Sequence, residues 1–153
     1  KGEGTTFTVF LPACTKQAPQ EGQGSDETLP GKGTVLLVDD EDMIIEVAEA
    51  FLHKLGYEVL AAQGGAQAVE LYSSHADEID LVILDMTMKD MGGSKTYDKM
   101  KDIDPNVKVL LSSGYTVEGQ PTEILERGCN GFIQKPFTIG ELSRVMNEIL
   151  QGE

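Results

Sequence analysis

Short runs of Val, Leu and Ile recur along this chain, and residues with reactive side chains follow them directly. The run TVLLV at 34–38 precedes Asp39 and Asp40, and the run LVIL at 81–84 precedes Asp85. Apolar runs of four or five residues are typical of strands that are buried on both faces of a parallel sheet. Because the carboxyl ends of such strands meet at one edge, we expect the three carboxylates to lie close together.

Three carboxylates at one edge repel one another unless a cation lies between them. Two unit charges about 4 Å apart repel by roughly 4 kcal/mol at an effective dielectric constant near 20. A hard divalent cation such as Mg²⁺, held by one or two carboxylates and several waters, removes this repulsion. The acidic edge therefore predicts a magnesium site, and magnesium favours chemistry on phosphate.

Strand-like and helix-like patterns alternate from Thr34 onward, which predicts five β/α units. Helices between strands indicate parallel pairing, right-handed crossovers and a sheet that is covered on both faces. The predicted strands are 34–38, 57–62, 81–84, 107–112 and 131–134. The predicted helices cover about 42–55, 66–73, a segment ending at Pro105, a segment starting near Pro121, and 139–149. The first helix is expected to bury one face, formed by Ile44, Val47, Ala48, Phe51, Leu52 and Leu55.

Two further kinds of polar group are expected at the acidic edge. Ser112 and Ser113 lie at the end of the fourth predicted strand, and Lys135 follows the fifth. In open parallel sheets, ligands bind at the carboxyl ends of the strands, where the strand order reverses. A hydroxyl and an ammonium would thus add phosphate-binding donors to the carboxylates.

The charge of the chain excludes several classes of partner. Its 153 residues include 26 acidic and 12 basic side chains, which gives a formal net charge of −14. Nucleic acids and anionic membranes bind clustered Lys and Arg, so neither is expected as a partner. No apolar run approaches the roughly 20 residues of a membrane helix. Cys14 and Cys129 show no metal-type spacing, which favours a reducing compartment, and we expect the cytoplasm.

Four motifs, in this order, resemble the response-regulator receiver domain of two-component signalling. They are VDDE with Asp39 and Asp40, LVILDMTM with Asp85, LLSSGY with Ser113 and Gly114, and GFIQKPF with Phe132, Lys135 and Pro136. The resemblance covers about residues 33–150. It implies an α/β fold of the flavodoxin-like (βα)5 type, a doubly wound parallel sheet of five strands in the order 2-1-3-4-5.

The resemblance also implies roles for the residues at the edge. It makes Asp85 the phosphoacceptor, Asp40 a direct magnesium ligand and Asp39 a ligand through water. The backbone carbonyl of Thr87 would complete the protein's share of the ligands. An aspartate can attack phosphorus to give an acyl phosphate. Catalysis then requires in-line positioning and neutralisation of charge by Mg²⁺ and by a cation, for which Lys135 is the candidate.

A conformational switch is implied as well. Ser113 would donate its hydroxyl to a phosphoryl oxygen and draw the following loop inward. Phe132 would turn inward at the same time, and the surface around the fourth helix and the fifth strand would change. The phosphodonor would be a histidine kinase or a histidine phosphotransfer domain. The pattern predicts no oligomeric state.

The first 33 residues differ in character from the remainder. The segment GEGTTFTVFLP is similar to the last glycine-rich turn and the closing strand of the ATP-binding domain of sensor histidine kinases. Residues 16–33 are rich in Gln, Gly and Pro, as is typical of a flexible linker. We therefore expect a kinase remnant at 1–15, a linker at 16–33 and a receiver at 34–153, which together form the junction of a hybrid histidine kinase.

One departure from the family pattern and three alternative functions remain. Lys89 stands where the family often has proline, and Thr87 is predicted to influence the lifetime of the acyl phosphate. A phosphatase of the haloacid dehalogenase type would need a second acid at the position of Thr87. A flavin carrier would need a phosphate-binding loop in place of the acidic residues 39–41. A receiver-like module that only binds other proteins is the third alternative.

Overall fold

The described part of the chain folds into five strands that alternate with five helices. The computed structural model describes residues 28–114 and 120–152, together with the isolated positions 2, 4, 5 and 8. The strands are β1 (Thr34–Val38), β2 (Glu58–Ala62), β3 (Ile79–Asp85), β4 (Val109–Ser113) and β5 (Gly131–Gln134). The helices are α1 (Asp42–Leu55), α2 (Gly65–His75), α3 (Gly93–Ile103), α4 (Gln120–Glu126) and α5 (Ile139–Gln151). The five strands and five helices predicted from Thr34 onward are all present, with boundaries that differ by a few residues.

All strand pairs are parallel, and the order across the sheet is β2-β1-β3-β4-β5. This order confirms the predicted doubly wound architecture. The strand order reverses between β1 and β3, which is where ligands bind in open sheets of this kind. The carboxyl ends of β1 and β3, and hence the residues that follow them, lie side by side at this point.

Two hydrophobic layers cover the sheet. One layer contains buried residues of α1 and α5, such as Leu52 and Met146. The other contains buried residues of α2, α3 and α4, such as Tyr72, Tyr97 and Ile124. Because side chains alternate between the faces along each strand, every strand of the sheet centre contributes to both layers.

The buried face of α1 differs from the predicted one. Val47 is 54 % exposed and Ile45 only 7 % exposed, so Val47 does not belong to the core as predicted. The buried positions Ile45, Ala48, Leu52 and Leu55 follow a spacing of three and four residues. At about 100° per residue, Val47 lies roughly 200° around the helix from Ile45 and therefore faces solvent.

The segment 28–33, which we call the strap, is bonded to the domain. Leu29 N–H donates to the Ser143 hydroxyl of α5 at 2.8 Å, and that hydroxyl donates to the Leu29 carbonyl at 3.1 Å. Gly31 N–H donates to the Leu55 carbonyl at the end of α1 at 2.7 Å. A Cβ on Gly31 would overlap the ring of the buried Tyr57, so a larger residue there would force this ring to move. The sequence assigns these residues to the linker. The remaining linker residues, 16–27, and most of the predicted strand before them lie outside the described residues.

Among the described residues, no helix combines the length and the apolar character that crossing a membrane requires.

Candidate functional site

Three carboxylates lie together at the carboxyl edge of the sheet. Asp39 follows β1, and its N–H continues the sheet ladder by donating to the Ala62 carbonyl at 3.1 Å. Asp85 is the last residue of β3. Asp39 and Asp85 are only 2 % and 5 % exposed, while Asp40 is half-buried. One oxygen from each of the three lies within 4.8 Å of the others.

Lys135 compensates for two of these charges. Its Nζ lies 2.5 Å from Asp39 Oδ2 and 2.7 Å from Asp85 Oδ1. Burial alone would lower the pKa of Lys135, but the hydrogen bonds and negative charges of Asp39 and Asp85 outweigh this effect and raise the pKa above its ordinary value. The ammonium therefore stays charged and is the built-in counterion of Asp39 and Asp85. The peptide bond from Lys135 to Pro136 is cis.

The residues of this edge form a row on one face of the sheet. Leu37, Ile83, Leu110 and Ile133 all belong to the core layer beneath α1 and α5. Two positions further along their strands, alternation brings Asp39, Asp85, Ser112 and Lys135 to the same face. We call these four residues the polar row. Asp85 and Ser112 lie on β3 and β4, and Asp39 and Lys135 directly follow β1 and β5.

Ser112 is the member of the polar row on β4, and the sequence predicts it at this edge. It pairs with Asp85 across the β3–β4 ladder and is 3 % exposed. Its hydroxyl oxygen is fully buried and makes no hydrogen bond within the described part of the chain. A buried hydroxyl without a partner costs free energy and requires an explanation.

The other predicted residues surround the row without joining it. Ser113 ends β4 and is buried, and its carbonyl accepts a hydrogen bond from Lys135 N–H at 2.8 Å. Phe132 is half-buried on β5 and packs against the opposite layer, the one that contains residues of α2, α3 and α4. Thr87 is exposed in the loop after β3, and its N–H donates to Asp85 Oδ2 at 2.7 Å. Both oxygens of Asp85 thus have a donor.

The loop after β3 is fastened by residues that sequence reasoning missed. Asp90 accepts hydrogen bonds from Gly65 N–H and Ala66 N–H, at 3.2 and 3.1 Å, and so caps the start of α2. These backbone hydrogen bonds, that of Ala66 first, lower the pKa of Asp90. Lys89 N–H donates to Asp40 Oδ2 at 3.3 Å, and Lys89 Nζ lies 3.4 Å from the same oxygen. The hydrogen bonds of Lys89 and Asp90 thus fix the position of this loop.

Gly93 explains how the loop can return so close to β3. A Cβ at this position would lie 2.5 Å from the Asp85 carbonyl oxygen and 2.9 Å from Met86 Cα. Backbone atoms cannot move aside at low cost, so a side chain at Gly93 would displace the end of β3 itself.

The donor set of the edge fits a hard divalent cation. Carboxylate oxygens are the ligands that Mg²⁺ prefers, and Mg²⁺ is usually held by one or two carboxylates plus waters. Asp39, Asp40 and Asp85 supply such oxygens within one small volume. The described part of the chain places no histidine or cysteine in this cluster.

Comparison with known proteins places the chain in a family. The model of the family described as "Response regulator receiver domain" matches residues 35–147. The sensor kinase CckA of Brucella abortus is 31 % identical over 161 residues, covering 99 % of this chain and 17 % of that protein. The chemotaxis protein CheY of Bacillus subtilis is 33 % identical, covering 76 % of this chain and 96 % of that protein.

A solved structure agrees with this result. It is a CheX-CheY-BeF3-Mg+2 complex from Borrelia burgdorferi, with a TM-score of 0.74, 27 % identity, and coverage of 76 % of this chain and 88 % of that chain. The sheet order, the matched residues and the relatives all agree. The chain therefore belongs to the family of response regulator receiver domains, the receivers of two-component signal transduction.

Proposed function

We propose that Asp85 is the phosphoacceptor of this receiver and that Asp39 and Asp40 hold Mg²⁺ beside it, with the Thr87 carbonyl as a further ligand. The observation that carries this proposal is the buried pair of Asp85 with Lys135, at 2.7 Å, beside the other two carboxylates. A nucleophile, a metal-binding set and a cation thus converge at the point where the strand order reverses.

The reaction transfers a phosphoryl group from a phosphohistidine of a histidine kinase or a histidine phosphotransfer domain. An oxygen of Asp85 forms a bond to phosphorus while the P–N bond breaks. The histidine nitrogen keeps the electron pair and takes a proton from solvent. Magnesium, when bound, supplies positive charge against the oxygens of the phosphoryl group.

Lys135 and Ser113 act on the product of this transfer. The ammonium already contacts Asp85 and has a flexible stem, so it can follow the phosphoryl group as charge develops on its oxygens. Ser113 donates its hydroxyl to a phosphoryl oxygen and draws the end of β4 inward. Phe132, half-buried against the layer that contains α4, then moves further into that layer. The surface around α4 and β5 is the output of this switch.

The chain is proposed to belong to a hybrid histidine kinase. Its alignment with CckA covers 99 % of this chain and so extends to residues before β1, while it spans only 17 % of that kinase. We assign residues 1–15 to the end of an ATP-binding domain, residues 16–33 to a linker, and the remainder to the receiver. Two features favour the cytoplasm. The proposed partners carry phosphohistidine, and the chain has few cysteines.

Phosphorylation with a small donor tests the proposal. The protein is incubated with a small acyl phosphate, with and without Mg²⁺, and its mass is measured. We expect a magnesium-dependent phosphoryl adduct that Asp85→Asn abolishes and that the control Asp77→Asn, on an exposed carboxylate, leaves intact. Turnover of the donor without a base-labile adduct would instead indicate a phosphatase. Absence of both would indicate a module that only binds proteins.

A further inference from the structure

The buried Ser112 hydroxyl lies where the stem of Lys135 must pass. β4 separates β5 from β3, and β1 lies beyond β3. Adjacent strands are about 4.8 Å apart, so the ammonium of Lys135 reaches Asp85 only by crossing β4. It crosses on the face where Ser112 projects, because the four members of the polar row share that face.

The Ser112 hydroxyl makes no hydrogen bond, within the described residues, that would stabilise the metal-free fold. Ser112 Oγ is buried and makes no hydrogen bond with any described residue. The preceding residues of β4, from Val109 to Leu111, are all apolar and fully buried. A serine that ends such a run, and that has no partner there, points to a function in another state of the site.

The hydrogen bonds of Lys135 show which state this is. The ammonium has three N–H donors, and it gives hydrogen bonds to Asp39 Oδ2 and Asp85 Oδ1. Both acceptors are also members of the carboxylate cluster that fits a divalent cation. If that cation takes their oxygens, the ammonium needs another acceptor on its path.

We propose that Ser112 is a positioning residue, whose hydroxyl accepts a hydrogen bond from Lys135 when Asp39 and Asp85 bind a metal ion. Ser112 thus keeps the ammonium over β4, within reach of the phosphoryl group on Asp85. The small side chain also leaves room for the lysine stem. This inference rests on the proposed phosphoacceptor function and assigns to it a residue that acts only through Lys135.

The test uses Ser112→Ala, which removes the hydroxyl and little else. In the metal-free protein this variant should unfold at the same or a higher urea midpoint than wild type, because an unpaired buried hydroxyl is lost. Calorimetric titration should show Mg²⁺ affinity weakened by about threefold to tenfold. The rate of phosphorylation by a small acyl phosphate at saturating Mg²⁺ should fall by a similar factor.

Two further variants separate positioning from structure. Ser112→Thr keeps the hydroxyl and should restore Mg²⁺ affinity to within about twofold of wild type. In a Lys135→Met background, Ser112→Ala should change Mg²⁺ affinity by less than about twofold, because the hydroxyl then has no ammonium to bind.

Three results would overturn the inference. A lower urea midpoint for metal-free Ser112→Ala would show that the hydroxyl is structural. Unchanged affinity and unchanged rate in Ser112→Ala would show that it is idle. An equal loss in the Lys135→Met background would show that it acts independently of the lysine. Failure of the wild type to bind Mg²⁺ or to form an adduct would refute the proposed function instead.

Discussion

The polar row predicts that the metal-free fold depends on the charge of Lys135. In Lys135→Met the stem remains and the charge is lost, which leaves Asp39 and Asp85 facing each other at 2 % and 5 % exposure. Removing one partner of a buried ion pair costs about 3–5 kcal/mol. Because the lysine side chain is itself 17 % exposed, we take the lower end of that range, about 3 kcal/mol.

Thermal and urea unfolding measure this cost, and Lys89→Met is the matched control. Lys89 Nζ also lies near the carboxylate cluster, 3.4 Å from Asp40 Oδ2, but its side chain is 89 % exposed. Exposed ion pairs contribute about 1 kcal/mol or less, so this control should hardly change the unfolding midpoint. For a domain of this size, the loss in Lys135→Met corresponds to a midpoint lower by about 10 °C.

Magnesium should further distinguish Lys135→Met from wild type. It should stabilise Lys135→Met more than wild type, because a divalent cation can replace the missing charge, whereas in wild type it competes with the ammonium. If Lys135→Met is as stable as wild type without metal, or if Mg²⁺ raises both midpoints equally, then Lys135 is not the counterion of this site.

Two further substitutions test the loop after β3. Gly93→Ala should destabilise the fold by about 2–3 kcal/mol, because its methyl group would meet the Asp85 carbonyl oxygen at 2.5 Å. Gly92→Ala, whose nearest contact is at 3.9 Å, should change stability by under about 0.5 kcal/mol, and equal effects in urea unfolding would contradict this explanation. Asp90→Asn should cost about 1 kcal/mol at neutral pH, because the amide keeps one acceptor but loses the second acceptor and the negative charge at the start of α2. Since the backbone hydrogen bond from Ala66 lowers the pKa of Asp90, this contribution is complete above the unfolded pKa of about 4 and is lost as pH falls through the folded value. A cost that does not shrink below about pH 4 would refute it.

The strand ends could be predicted because they depend on local patterns. Apolar runs such as TVLLV and LVIL are too short for buried helices and therefore indicate strands. A parallel sheet then brings all carboxyl ends to one edge, whatever the exact packing. Asp39, Asp40, Asp85 and Lys135 follow from these two steps, and the structure places them together.

The remaining features depend on contacts between distant residues. Asp90 caps α2 from a loop 24 residues away, and no local motif marks it, because Gly64 at the helix start offers no side chain. The sequence places Ser112 at the edge but does not show that its hydroxyl lacks a partner. The prediction that Val47 lies on the buried face of α1 is wrong. Ile44, Ile45 and Val47 are all apolar, and periodicity alone does not choose among them.

The strap has a mechanical consequence for whatever precedes it in the chain. Its first bonded residue, Leu29, is held by Ser143 on α5, and the strap then runs to the end of α1 before β1 begins. Tension from an upstream domain would therefore be borne by the flank of α5 before it reached the sheet. The strap runs along this flank from the early turns of α5 to the end of α1 and enters β1 at the amino edge of the sheet, opposite the edge that holds the carboxylates.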